Sequence, residues 1–186
     1  VVGGSLGAAV FAELVPEAVA RLDDALRARL CITQQCRAEQ RDDLVARYRD
    51  IGVEAEIRPF FDDMPTRLAA SHLVISRAGA SSVAELAAAG RAAIMIPFAA
   101  AMDDHQTANA RQLEAAGGGR CVAEADLDAG SLAAIITEML ADPKTLSAMG
   151  TSGHSLAAPQ AADDIATYAL SLTGAARTTD QDRSRT

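Results

Sequence analysis

The feature of this sequence that most constrains its fold is a repeated switch between short apolar runs and longer amphipathic stretches. The short runs predict strands at residues 30–34, 53–60, 73–76, 92–97 and 120–124. The amphipathic stretches predict helices at residues 8–29, 37–52, 62–71, 82–90, 104–117 and 131–142. Strands that alternate with helices at this spacing are typical of a parallel sheet with helices on both faces. We therefore predict an α/β fold built on a Rossmann-like parallel sheet.

Prolines and glycines predict where the helices are interrupted. Pro16 lies inside the first predicted helix, where a proline kinks or breaks the chain. A helical pattern continues beyond the last predicted helix to about Leu172, with breaks expected at Gly150, Gly153 and Pro159.

The spacing of the elements predicts one domain over residues 1–172, with no linker and no internal repeat. The tail at residues 173–186 is polar and is expected to be disordered. The chain opens with "VV" and a glycine-rich turn, which leaves a first strand of two residues, and it has no initiator methionine. These residues alone leave open whether a longer protein has been cut in front of Val1.

Composition excludes several classes of function. The net charge of −8, the 3% of aromatic residues and the lack of tryptophan argue against a nucleic-acid-binding protein, which needs basic residues and stacking platforms. Cys31, Cys36 and Cys121 lack the spacing of metal ligands and are expected to be reduced thiols. No signal peptide and no apolar run long enough for a spanning helix is visible, so we predict a soluble protein that could still lie on a membrane surface.

Ligands of such sheets bind beyond the carboxyl ends of the strands, and the first candidate loop there is "GGSLGA" at residues 3–8. Its glycines would let the main chain approach a phosphate, Ser5 adds a hydroxyl, and the following helix offers unpaired N–H groups. The loop lacks the G-x-G-x-x-G spacing of dinucleotide-binding proteins. From these residues alone, a phosphate loop and an ordinary glycine turn remain equally open.

The second candidate loop lies in "SRAGASSVAELAAAG" at residues 76–90, where a helix is expected to open at Ser81 or Ser82. Ser82 and Glu85 have the spacing of a capping box, in which the glutamate folds back onto the cap N–H. Alternatively, the helix start binds phosphate and Glu85 accepts hydrogen bonds from a ribose diol. The residues alone favour the capping box, because caps are far more common than binding sites.

The third candidate loop is "PFAAAMDDHQTANA" at residues 97–110. Asp103 or Asp104 is expected to cap the helix that follows, and His105 and Gln106 lie near its first turn, where a ligand could reach them.

The three blocks "GGSLGA", "FFDDMPTRLAASHLVISRAGASSVAELAAAG" and "DDHQTANARQLEAAG" have the order and spacing found in the MurG family. This resemblance covers residues 1 to 170, and the middle block is the most specific part. MurG enzymes are bacterial transferases that move N-acetylglucosamine from UDP-N-acetylglucosamine onto lipid I to form lipid II. The resemblance implies the carboxyl-terminal, donor-binding half of a GT-B glycosyltransferase. It thereby also implies that a longer protein has been cut and that roughly its front half is absent. It also implies a role in peptidoglycan synthesis, and hence in cell shape and division, as a peripheral protein on the cytoplasmic face of the inner membrane.

The resemblance implies a set of donor-binding residues: Gly4, Ser5, Phe61, Ala80, Ser81, Ser82, Val83, Ala84, Glu85, His105 and Gln106. Ser5 would contact the donor diphosphate, and residues 80–84 would form the phosphate-binding helix start. The main chain of Phe61 would bind the uracil edge. With the resemblance in view, the carboxylate of Glu85 is expected to hold both ribose hydroxyls, and capping becomes the alternative.

In the third block, Gln106 would meet hydroxyls of the sugar, and His105 stands where many relatives have another glutamine. Leu6 occupies a position where glutamine is common, and residues 99–102 carry no side-chain polar group where sugar contacts are expected. At both segments, the side chains therefore lack the polar groups for the contacts that the resemblance implies.

The resemblance also implies an inverting transfer in which two helix N-termini stabilise the leaving diphosphate. We therefore expect no metal and no cofactor. The general base is expected in the absent front half, so no catalytic residue is assigned and the chain alone should bind donor weakly and be inactive. The implied partners are UDP-N-acetylglucosamine, lipid I through the absent domain, and a membrane surface.

Two alternatives remain open. One is a different GT-B enzyme that uses a UDP-sugar, such as a glycolipid synthase or a UDP-N-acetylglucosamine 2-epimerase, although the extra carboxylates and histidines of an epimerase are not identifiable here. The other is a nucleotide-binding module without catalytic activity.

Overall fold

The computed structural model describes residues 1–4, 9–98 and 104–172. The expectation of a disordered tail at residues 173–186 lies outside these residues. The strands are β1 Cys31–Gln35, β2 Glu54–Arg58, β3 Leu73–Ser76, β4 Ala92–Met95 and β5 Gly119–Cys121. The helices are α1 Ala9–Ala20, α2 Asp24–Arg27, α3 Arg41–Asp50, α4 Met64–Ala70, α5 Ala80–Ala89, α6 His105–Ala115, α7 Ala129–Ala141, α8 Pro143–His154 and α9 Ala161–Leu172.

The strands form a parallel sheet whose two parts are joined by the opening segment, Val1–Val2. One part pairs β1 with β2, and the other has the order β3-β4-β5. The N–H of Val2 donates to the carbonyl of Ile75 at 2.8 Å, and the N–H of Gln35 donates to the carbonyl of Val1 at 3.0 Å. The opening segment therefore lies between β1 and β3. Counted as the first strand, it gives the strand order 3-2-1-4-5-6 of a Rossmann fold.

Apolar side chains cover both faces of this sheet. Ile75 and Ile94 belong to one buried cluster with residues of α1, α3 and α7, whereas their neighbours Val74 and Ala93 belong to another with residues of α4, α5 and α6. Adjacent residues of a strand point to opposite faces, which explains the division. The predicted arrangement, a parallel sheet with helices on both sides, is present.

The first predicted helix is interrupted, but not at Pro16. Helix α1 continues through Pro16 to Ala20, so of the two alternatives expected at the proline the break was wrong and the kink stays a prediction. The interruption comes at residues 21–23, where the side chain of Asp23 accepts a hydrogen bond from the N–H of Leu26 and starts α2.

The predicted breaks at Gly150 and Gly153 were also wrong, because α8 runs through both residues. A Cβ atom at Gly150 would lie 2.2 Å from the carbonyl oxygen of Gly90, and one at Gly153 would lie 3.0 Å from the Cα of Gly118. The glycines thus allow α8 to approach two main-chain turns closely. Their role is tertiary contact and not helix termination.

Helix α9 buries none of its residues against the rest of the described chain. Ile165, Tyr168, Leu170 and Leu172 are all exposed. Within the described ranges, no helix combines the length and the apolar character that a membrane crossing requires.

Candidate functional site

The candidate site lies at the carboxyl edge of the sheet, where the strand order changes direction between Val1–Val2 and β3. Ligands of doubly wound folds bind in the crevice at this switch point. The glycine turn follows the opening segment directly, and Gly4 has a φ of +75°, a left-handed conformation that favours glycine. The predicted loop therefore begins at the expected edge, although residues 5–8, including Ser5 and Leu6, lie outside the described residues.

Helix α5 begins at this edge without a side-chain cap. Its N-cap residue is Gly79, and the helix starts at Ala80, ahead of the predicted Ser81 or Ser82. Ser82 is consequently inside the first turn and cannot act as the cap, so the capping-box interpretation of Ser82 and Glu85 was wrong. Among the described residues, none accepts a hydrogen bond from the first N–H groups of α5. These groups, at the positive end of the helix, suit an anion.

Helices α7 and α8 are capped, in contrast to α5. The carboxylate of Asp128 accepts a hydrogen bond from the N–H of Ser131, and Asp142 accepts one from the N–H of Lys144. At α6, Asp104 is in the N-cap position, as one of the two predicted alternatives had it, but its side chain makes no cap hydrogen bond. Its φ of +52° is unusual for a residue other than glycine. Neither of the two helices that leave the site edge after β3 and β4 thus has a side-chain cap among the described residues.

Gln106 connects the two loops that precede these helices. Its Oε1 accepts hydrogen bonds from the N–H of Ala78 at 3.3 Å and from the N–H of Phe98 at 3.0 Å. Asn109 adds a bond from its Nδ2 to the carbonyl of Ala78 at 3.1 Å. Because both partners of its oxygen are N–H donors, the amide orientation of Gln106 is fixed, and its Nε2 donates to none of the described residues.

Comparison with known proteins assigns this domain. The description "Glycosyltransferase family 28 C-terminal domain" matches residues 1–165. The chain belongs to glycosyltransferase family 28. The resemblance to the MurG family and the prediction of a Rossmann-like domain from the carboxyl-terminal half of a GT-B protein are both confirmed.

Similar proteins agree with the family 28 assignment. A Rhodospirillum centenum protein is 48% identical over 94% of this chain and 46% of its own length, and one from Granulibacter bethesdensis is 53% identical over 78% of this chain and 38% of its own. Both are named UDP-N-acetylglucosamine–N-acetylmuramyl-(pentapeptide) pyrophosphoryl-undecaprenol N-acetylglucosamine transferase. The crystal structure of Acinetobacter baumannii MurG matches with a TM-score of 0.81 and 32% identity, over 90% of this chain and 48% of that one. The chain spans less than half the length of these relatives.

Glu85 lies on helix α5 of this family 28 domain, one turn beyond the open N-terminus of the helix. Its side chain is exposed and makes no hydrogen bond or ion pair with the described residues. The first turn of the helix contains the other predicted residues of this block: Ala80, Ser81, Ser82, Val83 and Ala84. Val83 is buried in the core, so only its main chain can face a ligand. Glu85 is therefore the acidic group of this helix that is free to accept bonds from a ligand.

Phe61 follows β2 at the same edge, and its side chain is buried, at 4% exposure. The guanidinium of Arg67 lies 4.3 Å from the centre of its ring, and Arg67 is itself paired with Glu56 and Asp63. Its hydrogen bonds hold the pKa of both carboxyl groups below their ordinary values. The side chain of Phe61 thus serves as an anchor, which leaves its main chain to act at the edge.

Sequence reasoning did not identify two further residues at this edge. Phe60 is 72% exposed beside the buried Phe61. The adjacent "FF" pair after a predicted strand was its only signal. Arg77 is buried after β3, and an arginine directly after an apolar strand was the signal for it.

His105 is the first residue of α6 and is exposed beside Gln106. The described residues include no group of three or more histidine, cysteine, aspartate or glutamate side chains arranged to hold a metal ion.

Proposed function

We propose that this chain is the donor-binding domain of an inverting glycosyltransferase that moves N-acetylglucosamine from UDP-N-acetylglucosamine to lipid I, forming lipid II in peptidoglycan synthesis. The observation that carries the proposal is the open N-terminus of α5 together with Glu85, one turn further along, whose carboxylate has no partner among the described residues. A nucleoside diphosphate needs both an anion site and an acceptor for its ribose hydroxyls. The identity to the named transferases supports the same conclusion.

The nucleoside would lie across the ends of β2 and β3. The main chain of Phe61 pairs with the uracil edge, and this pairing depends on the anchored ring of Phe61. Glu85 accepts hydrogen bonds from both ribose hydroxyls. A carboxylate has enough lone pairs to accept both bonds.

The diphosphate would lie between Gly4, Ser5 and the first turn of α5, at residues 80–84. Negative charge develops on the β-phosphate as UDP leaves, and N–H groups at the positive ends of helices stabilise this charge without rearrangement. This arrangement assigns no role to a metal ion or a cofactor. The Nε2 of Gln106, which donates to none of the described residues, donates to an oxygen of the sugar, with His105 beside it.

We infer that the general base and most of the acceptor site for lipid I lie in an amino-terminal domain, because this chain matches only the carboxyl-terminal domain of family 28. We propose that residues 1–172 form the donor domain and that the enzyme acts as a peripheral protein on the cytoplasmic face of the inner membrane.

A chimera tests the proposal. The amino-terminal half of the Rhodospirillum centenum relative is joined to this chain and is incubated with labelled UDP-N-acetylglucosamine and lipid I. The expected product is labelled lipid II, and the same chimera with Glu85→Ala should be nearly inactive. Formation of N-acetylmannosamine would indicate an epimerase, transfer to another lipid would indicate a glycolipid synthase, and donor binding without any turnover would indicate a non-catalytic module.

A further inference from the structure

Arg77 is a buried cation at the centre of the carboxyl edge. Its side chain is 10% exposed. Its Nη1 lies 3.2 Å from the carbonyl oxygens of both Ile96 and Pro97 and 2.6 Å from a carboxylate oxygen of Glu124. Arg77 itself follows β3, whereas these partners follow β4 and β5. One side chain therefore ties together the ends of three neighbouring strands.

The same guanidinium is also packed against two aromatic rings. It lies 5.0 Å from the ring centre of Phe11 and 5.3 Å from that of Phe98. Phe11 is fully buried near the start of α1, and its carbonyl accepts a hydrogen bond from Gln34. Through Phe11, Arg77 also contacts the helix that follows the glycine loop.

A buried ion pair is seldom the most stabilising way to fill such a space, since desolvation offsets much of the attraction. An apolar side chain of similar length would fill the same volume. A guanidinium adds direction, because its planar shape matches stacked rings while its edge donates to several acceptors at once. Arg77 thus fixes the relative positions of the segments around it.

The main chain beside Arg77 is fixed as well. Ala78 donates to Gln106 and accepts from Asn109, and Gly79 and the open N-terminus of α5 follow directly. The direction of the first N–H groups of α5 therefore depends on the anchoring of the preceding residues by Arg77 and Gln106.

We propose that Arg77, together with Glu124, is a positioning residue for the diphosphate of the donor. It holds the start of α1, the start of α5 and the loop after β4 at the spacing that two phosphates require. The inference rests on the proposed function, because it assumes that UDP binds at this edge. Arg77 acts through the groups that it holds and does not itself touch the ligand.

The test compares UDP with uridine, which lacks the diphosphate. Arg77→Met keeps much of the side-chain volume and removes the hydrogen bonds to Ile96, Pro97 and Glu124. The 186-residue chain is titrated with UDP by calorimetry and with uridine by NMR. In Arg77→Met the affinity for UDP should fall about tenfold, which is the effect of one lost hydrogen bond to a phosphate, whereas the affinity for uridine should not change. Arg77→Lys retains a cation with three donors and should restore part of the UDP affinity.

Glu124→Ala provides a second test if Arg77→Met does not fold, because Glu124 is 29% exposed and the change is milder. Alone, Glu124→Ala should lower the ratio of UDP affinity to uridine affinity. In a double variant with Arg77→Met, it should lower this ratio no further than Arg77→Met does alone. Arg120→Met, which breaks a surface pair with Glu138, is the matched control and should leave the ratio unchanged.

Variants of Arg77 and Glu124 that lower the melting temperature but keep the wild-type ratio would overturn this inference and leave the proposed function standing. A wild-type chain that binds no UDP would contradict the proposed function and the inference together.

Discussion

The side-chain oxygen of Gln106 lies 3.3 Å from the main-chain nitrogen of Ala78 and accepts its hydrogen bond. The same oxygen accepts the N–H of Phe98 at 3.0 Å. A single amide thus joins the loops after β3 and β4, while its NH₂ group makes no hydrogen bond with the described residues. The structural role and the proposed binding role of Gln106 belong to different atoms, and two substitutions separate them.

Gln106→Glu keeps an acceptor for Ala78 and Phe98 but replaces the donor with a negative charge. The melting temperature should stay near that of the wild type, while affinity for UDP-N-acetylglucosamine should fall about tenfold or more through the lost donor and repulsion of the diphosphate. Gln106→Met removes the acceptor of the part-buried N–H of Ala78, whereas water can replace it at the exposed N–H of Phe98, so the free energy of unfolding should fall by about 1 kcal/mol. Thermal melts and donor titrations measure both. Unchanged donor affinity in Gln106→Glu would remove Gln106 from the site.

Glu85→Gln should leave the ligand-free protein as stable as the wild type, because Glu85 has no partner among the described residues. Affinity for UDP should fall roughly ten- to a hundredfold, since hydrogen bonds to a charged group contribute about 1.5–3 kcal/mol. Calorimetry with UDP measures the loss. Glu17→Gln, at an exposed glutamate of α1, is the matched control.

A second ligand sharpens the test of Glu85. 2′,3′-Dideoxy-UDP lacks both ribose hydroxyls and should bind the wild type and Glu85→Gln about equally. Wild-type affinity of Glu85→Gln for UDP itself would show that Glu85 does not hold the ribose.

Gly150→Ala should destabilise the fold strongly, because the new Cβ would collide with the carbonyl oxygen of Gly90 at 2.2 Å. Overpacking of this kind costs about 1–3 kcal/mol, and collision with main chain places the expected loss at the upper end. Thr151→Ala, at an exposed position of α8, should change the free energy of unfolding far less. Urea unfolding of both variants measures the difference, and equal stabilities would mean that α8 does not approach Gly90 this closely.

Alternation of apolar runs and amphipathic stretches was sufficient to predict the parallel sheet. A strand that is buried on both faces is almost entirely apolar, so it can be recognised in the sequence. The end of α5 at Gly90 could also be predicted from the sequence, since a left-handed φ of +61° at a helix end favours glycine. Both features depend on local chemistry alone.

The features that sequence did not predict depend on tertiary contact. Gly150 and Gly153 resemble helix breakers until the main chain of Gly90 and Gly118 is placed against them. Ser82 resembles a cap until the helix is seen to begin at Ala80. In the site, Glu85 and Gln106 were predicted from resemblance, whereas the second role of Gln106 and the contacts of Arg77 require the loops in space.

Removal of divalent metal should not affect donor binding, because helix N-termini supply the positive charge for the diphosphate in this account. The affinity of the chain for UDP should agree within about twofold between a buffer with EDTA and a buffer with magnesium, because removal of the metal breaks no hydrogen bond to the diphosphate. Calorimetry in the two buffers measures it. Binding that disappears in EDTA and returns with magnesium would show that the helix ends do not suffice.

The central claim, that this domain binds a uridine diphosphate sugar, is tested most directly by base selectivity. Calorimetric titration of the 186-residue chain with UDP, ADP and GDP compares ligands that share the diphosphate and ribose and differ in the base. UDP should bind at least about tenfold more tightly than the other two, because a mismatched base edge leaves buried polar groups of the Phe61 main chain unpaired. Equal affinities for UDP and ADP would contradict it.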